Sequence, residues 1–371
     1  MLIGVLGGGQ LGQMLALAGI PLGLRFRFLN PAPKAPASAV GEVITGAFED
    51  EAVLTKFAAG VDVVTYEFEN VPAASVRWLA QRVPVYPPPK ALEAGQDRLR
   101  EKTLFRELGF AVHDFENVEP GDDGRAAIAK LGLPLVAKTR RMGYDGKGQM
   151  VLRTDADAAR LRATLGDSPL LIERLVTFQR ELSIIACRGR DGSCISYPLT
   201  ENVHEGGILR ISRAPAADIS PATEKHARDH AQALMQRLNY VGVLAIELFD
   251  TGNELYANEM APRVHNSGHW TIDGCEVSQF ENHCRAVAGL PLGEPGVRGS
   301  SVMVNFIGAM PPAAELLKIP GVRVHDYGKE PRAGRKVGHA TIVGVSAEER
   351  LHHVLRARSA SEGHSDARTP Q

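Results

Sequence analysis

The chain opens on an almost unbroken apolar run, Leu2–Leu6, that stops at Gly7-Gly8-Gly9-Gln10-Leu11-Gly12. Strands covered on both faces in a parallel sheet have this pattern. Because the run meets a glycine turn directly, it is expected to be a first strand and not a secretion leader. An apolar helical stretch follows at 13–18. Residues 25–29, 61–66 and 83–86 pattern as further strands, with helical periodicity at 50–58 and 74–81 between them. The alternation predicts a parallel sheet with helices on both faces. Pro87-Pro88-Pro89 marks the edge of that unit.

A second unit begins with a helix over 95–108, which contains Arg98 and Lys102. Helix 124–131 precedes a strand, Leu135–Thr139, whose apolar run ends in Lys138-Thr139. A glycine loop, a strand over 150–152, a helix over 155–165 and a strand over 170–173 complete it. The chain then becomes strand-rich, at 181–187, 194–198, 243–249 and 255–259, interrupted by one long helix, Pro221–Leu238. Residues 300–306 and 341–345 pattern as strands of a last small region. The polar stretch from Ser359 is expected to be disordered. No internal repeat is present.

At 371 residues the chain is long enough for two to three domains. With 44% hydrophobic and 23% charged residues it can bury ordinary globular cores. A formal net charge of -1 carries no nucleic-acid footprint, and no apolar run reaches membrane-spanning length. The four cysteines, Cys187, Cys194, Cys275 and Cys284, form no Cys-x-x-Cys pair, so they are read as reduced thiols of a cytoplasmic protein.

Several motifs carry chemistry. Gly7, Gly9 and Gly12 match G-x-G-x-x-G between a strand and a helix, the setting of an anion site. A dinucleotide would call for an acidic residue at the end of the second strand, where the chain has Leu29-Asn30-Pro31. That weakens the dinucleotide reading and favours another phosphate ligand, with a purely structural turn as the further alternative. Gly143-Tyr144-Asp145-Gly146-Lys147-Gly148 has glycines that let backbone N–H groups approach phosphate and a lid move; the plain alternative is an exposed hairpin. Lys138, closing an apolar strand, needs a partner anion. Glu247 and Glu259 lie on strands joined through Gly252-Asn253, a hairpin signal. A turn centred at Asn253 places them directly opposite one another. Facing carboxylates repel, and a divalent cation reverses that, with Asn258 as a neutral oxygen ligand. A solvated sheet face is the alternative, and a one-residue slip separates the pair.

Arg263-Val264-His265-Asn266-Ser267-Gly268-His269-Trp270 is dense in polar groups. His265 and His269 have the spacing of half a zinc helix, but Asn-Ser-Gly is poor helix and the base Glu is missing. A loop that binds phosphate or carbonate through Arg263, Asn266 and main-chain N–H groups fits better. Residues 329–339 form a basic cluster that suits a phosphate or a solvated turn.

Together, Gly-Gly-Gly-Gln-Leu-Gly, Tyr66-Glu67-Phe68-Glu69-Asn70, Gly-Tyr-Asp-Gly-Lys-Gly, Asn258-Glu259 with 263–270, and Gly334-Arg335-Lys336-Val337-Gly338-His339 resemble the N5-carboxyaminoimidazole ribonucleotide synthetases, ATP-grasp ligases of purine synthesis. The resemblance runs from Leu2 to about Val345. It implies an α/β fold (α+β overall): an ATP-grasp fold with an N-terminal parallel-sheet, Rossmann-like pre-ATP-grasp domain and a small C-terminal β-rich domain. The implied boundaries are 1–95, 96–290 with a lid over about 110–175, 291–358, and a tail at 359–371.

The resemblance further implies that bicarbonate and ATP form carboxyphosphate, which carboxylates aminoimidazole ribonucleotide. The implied catalytic residues are Arg263, Lys138, Tyr144 and Asp145. ATP would be held by Arg98, Lys138, Gly143, Tyr144, Asp145, Gly146, Lys147, Gly148, Glu173, Arg174, Leu175, Val176, Glu181, His204, Asn258 and Glu259. Mg2+ (or Mn2+) would sit on Glu247, Glu259 and Asn258. Gln10, Glu67, Asn266, Ser267, His269, Lys329 and Arg335 would hold the ribonucleotide and bicarbonate, with Tyr144 of the lid beside them. Partners would be these small molecules, with no nucleic acid and no membrane, in a cytoplasmic homodimer. Two departures stand out: the basic Arg25-Phe26-Arg27, and Gln179-Arg180 before Glu181. The competing readings are a formate-dependent glycinamide ribonucleotide transformylase-like ATP-grasp ligase, an NAD(P)-dependent oxidoreductase and a non-catalytic nucleotide-binding module.

Overall fold

The computed structural model describes residues 1–143 and 148–365, with side chains through 359. Three sheets organise it. In the first, β1 (Leu2–Leu6), β2 (Arg25–Asn30), β3 (Glu42–Thr45) and β4 (Val63–Tyr66) lie in the order β3-β2-β1-β4, all parallel. Every residue of β4 is buried, as the apolar run predicts. The expected strand at 83–86 is instead a single bridge, Val64 to Val85. Pro84 and Pro87 flank that bridge and have no N–H for a ladder. The fourth strand is β3, four residues at the sheet edge. The basic β2 has a structural cause: Arg27 Nε donates to Glu42 at 2.7 Å and its Nη1 reaches the Phe57 and Ala59 carbonyls, at and just after the last turn of helix Glu51–Ala58.

The second sheet contains β5 (Phe115–Val118), β6 (Leu135–Thr139), β7 (Gln149–Leu152) and β8 (Leu170–Arg174), antiparallel in the order β5-β8-β6-β7. It packs on helix Arg125–Leu131 through Ile128, Leu131, Ala137 and Ile172.

The third sheet is nine-stranded. It comprises β9 (Arg180–Arg188), β10 (Cys194–Ser196), β11 (Thr200–Glu205), β12 (Ile208–Ala214), β13 (Gly242–Asp250), β14 (Leu255–Ala261), β15 (Ser301–Ile307), β16 (Val322–Asp326) and β17 (Lys336–Val343). The order is β14-β13-β9-β11-β12-β15-β17-β16, with β10 on β9. The last small region is therefore a continuation of the sheet, since β15 hydrogen-bonds to β12 over Ile211–Ala214.

The expected helix over 95–108 is two helices, Pro89–Gly95 and Arg98–Glu107, with Asp97 capping the second. Of the stretch expected to be disordered from Ser359, residues 366–371 lie outside the described residues and 359–365 continue helix Ala347–Ser365. Ala347, Leu351 and Val354, at helical spacing, bury one face and anchor it. Arg180 is explained as well: its Nε donates to Asp250 at 2.8 Å and its Nη1 to the Ala217 carbonyl at 2.6 Å. No helix among the described residues is long and apolar enough to cross a membrane.

Candidate active site

Glu247 on β13 and Glu259 on β14 are direct cross-strand partners. The turn does not produce this register. Asp250 pairs with Leu255, and Leu248 with Ala257, a register that would bring Asn258 opposite Glu247. A bulge between Glu247 and Leu248 shifts the ladder by one residue, so Asn258 and Glu259 together oppose Glu247. The bulge sets the acid pair. Burial and then the facing Glu259 push the Glu247 carboxyl up to about 7. Glu259 goes the other way: although burial opposes ionisation, Arg98 holds it below the usual carboxylate range. Arg98 Nη1 donates to Glu259 Oε2 at 2.9 Å. The Asn258 side-chain oxygen is buried without a hydrogen-bond partner among the described residues. Two facing carboxylates and an orphaned amide oxygen form an oxygen donor set that suits Mg2+, a cation usually bound by one or two carboxylates plus phosphate. No group of three or more His, Cys, Asp or Glu among the described residues is arranged as a metal cluster.

β14 is a sheet edge, and one helix closes it. Arg98, Glu101 and Lys102 fall at i, i+3 and i+4, hence on one face of helix Arg98–Glu107. Glu101 Oε1 accepts the Met260 N–H at 2.6 Å, and Lys102 Nζ donates to the Ala257 carbonyl at 3.0 Å. Burial, then Glu259, raises the Glu101 carboxyl to about 8. These side chains satisfy backbone groups that an edge strand leaves open.

On the second sheet, Val136 opposes Glu173, so Lys138 and Glu173 share a face. Lys138 Nζ donates to Glu173 Oε1, and Lys102 Nζ lies 3.1 Å from Glu173 Oε2. The two lysines hold the Glu173 carboxyl well below its ordinary value against the upward push of burial. The anion that Lys138 needs is therefore Glu173 in this state. Arg174 beside it is exposed, 3.6 Å from Asp114, and the Leu175 N–H is tied to the Pro134 carbonyl at 3.2 Å. Gly148 adopts a positive φ of 71°, and its carbonyl accepts the Thr139 N–H. Tyr144, Asp145, Gly146 and Lys147 lie outside the described residues, while Gly143 precedes them.

Further along the large sheet, His204 Nδ1 lies 2.9 Å from Glu181 Oε2. Burial lowers the imidazole's basicity, but Glu181 and Glu247 outweigh it and raise the pKa. His265 Nε2 lies 3.4 Å from Glu247 Oε1. Arg263 Nη2 donates to Glu69 Oε2 at 2.6 Å. Both polar side-chain atoms of Asn266 are buried without partners among the described residues. Ser267 and His269 have their side chains engaged within the protein. Ser267 is wholly buried, accepting from Ser183 Oγ at 2.7 Å and lying 2.9 Å from His265 Nδ1. His269 is buried against Phe280, Tyr327 and His339. They support the loop from behind.

The glycine turn after β1 is occupied by the protein itself. Glu67 Oε1 accepts the Gly9 N–H at 2.9 Å and Oε2 the Gly12 N–H at 3.3 Å. A Cβ on Gly9 would lie 2.9 Å from that carboxylate. In this state the Glu67 carboxylate takes two of the N–H groups that the sequence offered to a phosphate at this helix start. Beside it, Lys329 Nζ donates to Gln10 Oε1. Burial, then Arg335, lowers the Lys329 ammonium to about 8. Gln10, Glu67, Lys329 and Arg335 therefore form one cluster between the first sheet and the end of the third.

Sequence reasoning passed over Glu69, Glu101, Lys102 and His265 as site residues. For Glu101 and Lys102 a signal existed: with Arg98 and Phe105 they occupy one helical stripe, and charges on a buried stripe mark a site.

The chain matches known proteins along most of its length. Residues 1–96 match the ribonucleotide synthetase preATP-grasp domain, 103–280 the ATP-grasp domain, and 301–353 the phosphoribosylaminoimidazole carboxylase C-terminal domain. The N5-carboxyaminoimidazole ribonucleotide synthase of Pseudomonas aeruginosa is 52% identical over 342 residues, covering 92% of this chain and 94% of that protein. The crystal structure of the Thermus thermophilus synthetase superposes with a TM-score of 0.92 at 54% identity, over 96% of this chain and 98% of that one. That of the Aspergillus clavatus synthase in complex with ADP and 5-aminoimidazole ribonucleotide gives 0.88 at 30% identity, over 96% and 97%. With its bulged acid pair, its lysine-ended strand and its large-sheet extension, the chain belongs to the N5-carboxyaminoimidazole ribonucleotide synthase family of ATP-grasp ligases.

Proposed function

We propose that Glu247, Glu259 and Asn258 hold Mg2+ and that Arg98 and Lys138 contact the phosphates of ATP above it. The reaction is the ATP-dependent carboxylation of 5-aminoimidazole ribonucleotide in purine biosynthesis. The cation, when bound, neutralises charge on the phosphates. The observation that carries the reading is the bulge at Asn258, which sets two acids against each other with a buried amide oxygen beside them.

The rest of the chemistry falls to side chains on three walls. Glu173, Arg174, Leu175 and Val176 line the adenine, main-chain groups doing the recognition, and Glu181 takes the ribose hydroxyls with His204 beside it. Residues 143–148 cover the phosphates and exclude water, which otherwise hydrolyses carboxyphosphate; Tyr144 and Asp145 act from that cover. Arg263, steadied by Glu69, orients bicarbonate, and the unpartnered Asn266 amide supports a ligand at the same loop. Gln10, Glu67, Lys329 and Arg335 receive the ribonucleotide. In this reading residues 1–95 carry the acceptor, 96–290 the nucleotide with its lid over about 110–175, and 291–358 the phosphate arm.

A coupled assay for ADP release tests it. Aminoimidazole ribonucleotide with bicarbonate is expected to stimulate release; stimulation by formate with glycinamide ribonucleotide instead would reject the assignment. A cytoplasmic homodimer is proposed on family resemblance, and light scattering on the eluted protein checks the dimer.

A further inference from the structure

The two lysines on Glu173 are not equivalent. Lys138 stands on β6 and faces the proposed phosphate position. Lys102 stands on the edge-closing helix, is 2% exposed, and reaches two different sheets at once: Glu173 Oε2 on β8 at 3.1 Å and the Ala257 carbonyl on β14 at 3.0 Å. Ala257 directly precedes Asn258 and Glu259. One buried ammonium thus ties the lysine wall to the carboxylate wall.

The charge balance gives that tie a purpose. At Glu173 itself two lysines meet one carboxylate, the next acid, Glu101, being turned to the Met260 N–H, and a buried charge without a full partner is expensive. Glu173 offers one oxygen to each lysine. Without Lys102, Glu173 and Lys138 would form a closed neutral pair, and Lys138 would have to break it to meet a nucleotide.

We propose that Lys102 is a positioning residue for the nucleotide phosphates: it holds one oxygen of Glu173, so that Lys138 keeps charge to share with a phosphate. This rests on the reading that Lys138 contacts ATP. Neighbouring charges do not do this work: Arg98 is committed to Glu259 and Glu101 to the Met260 N–H.

Binding of ADP and of adenosine to the full chain, measured by calorimetry, tests the proposal. Lys102→Met keeps the length of the side chain and removes its charge. It is expected to weaken ADP about tenfold and leave adenosine unchanged. Adding Glu173→Gln to that variant restores the single positive charge and is expected to recover most of the ADP affinity. Wild-type ADP affinity in Lys102→Met, equal loss of ADP and adenosine, or no recovery in the double variant overturns the proposal. If Lys102→Met does not fold, Glu173→Gln alone decides: tighter ADP binding supports it, and unchanged or weaker binding overturns it. Lys138→Met separates the two readings. If ADP affinity survives that change, the phosphate role of Lys138 falls and Lys102 with it. If it is lost there but not in Lys102→Met, only the role of Lys102 falls.

Discussion

The two walls proposed to hold the nucleotide carry opposite surpluses. On the four-stranded sheet, Lys138 and Lys102 share one carboxylate, leaving a buried excess of positive charge. On the nine-stranded sheet, Arg98 pairs with Glu259 alone while Glu247, facing it, has only His265 within 3.4 Å, leaving an excess of acidic groups. A formal net charge of -1 conceals both. Each surplus is costly where it stands, and each is the complement of half of a magnesium nucleotide: phosphate for the first, cation for the second. The lesson is that the resting protein stores the charge pattern of its ligand in inverted form.

The sharpest way to break this comparison is at the acid pair. Glu259→Gln removes the charge at the bulge while its amide can still fill the space. Turnover is expected to fall about a thousandfold with the melting temperature nearly unchanged. An active Glu259→Gln enzyme would show that the pair does not hold the cation. Lys138→Met strikes the opposite wall and is expected to cost about a hundredfold in kcat/KM for ATP; an unchanged value would leave the positive surplus without a role. Asn258→Ala tests whether the orphaned oxygen belongs to the cation. About a tenfold rise in the Mg2+ concentration for half-maximal rate is expected, and a rate curve that ignores the change would remove Asn258 from the donor set. The smallest effect concerns the acceptor cluster. The Lys329 ammonium is charged below about 8 and neutral above it. KM for aminoimidazole ribonucleotide is therefore expected to rise several-fold as pH climbs through that value, and this rise should vanish in Lys329→Met. A pH-independent KM would detach Lys329 from the acceptor phosphate.

Much of the fold was legible because burial on both faces writes itself as unbroken apolar runs. Leu2–Leu6 and Leu135–Thr139 were found with their limits, and so was the helix Pro221–Leu238. The runs that misled did so for local reasons. Residues 83–86 have strand composition but are interrupted by Pro84, whereas Glu42–Thr45 is too short and too polar for an edge strand to announce itself. In the site, Glu247 and Glu259 were paired from the turn, and the pairing holds, yet the turn alone would have given Asn258 in place of Glu259. Only hydrogen-bond geometry reveals a bulge. The partner of the glycine turn was hidden for a different reason. Glu67 is nearly sixty residues from Gly9, and a parallel crossover brings them together. That Ser267 and His269 are buried was not legible either, because polarity in a sequence does not tell which side of a loop faces outward.

The join between β12 and β15 has a consequence for timing. A ladder of backbone hydrogen bonds makes a poor hinge. The carboxylates on β13 and β14 at one end of the large sheet and the β16–β17 connection that carries Lys329 at the other are therefore built on one ladder, like two marks on a rule. In the proposed reading of residues 110–175 as a lid, opening and closing fall to the smaller, separate sheet. The acceptor is thus measured against a frame that stands still, and the nucleotide's arrival is the event that starts the clock.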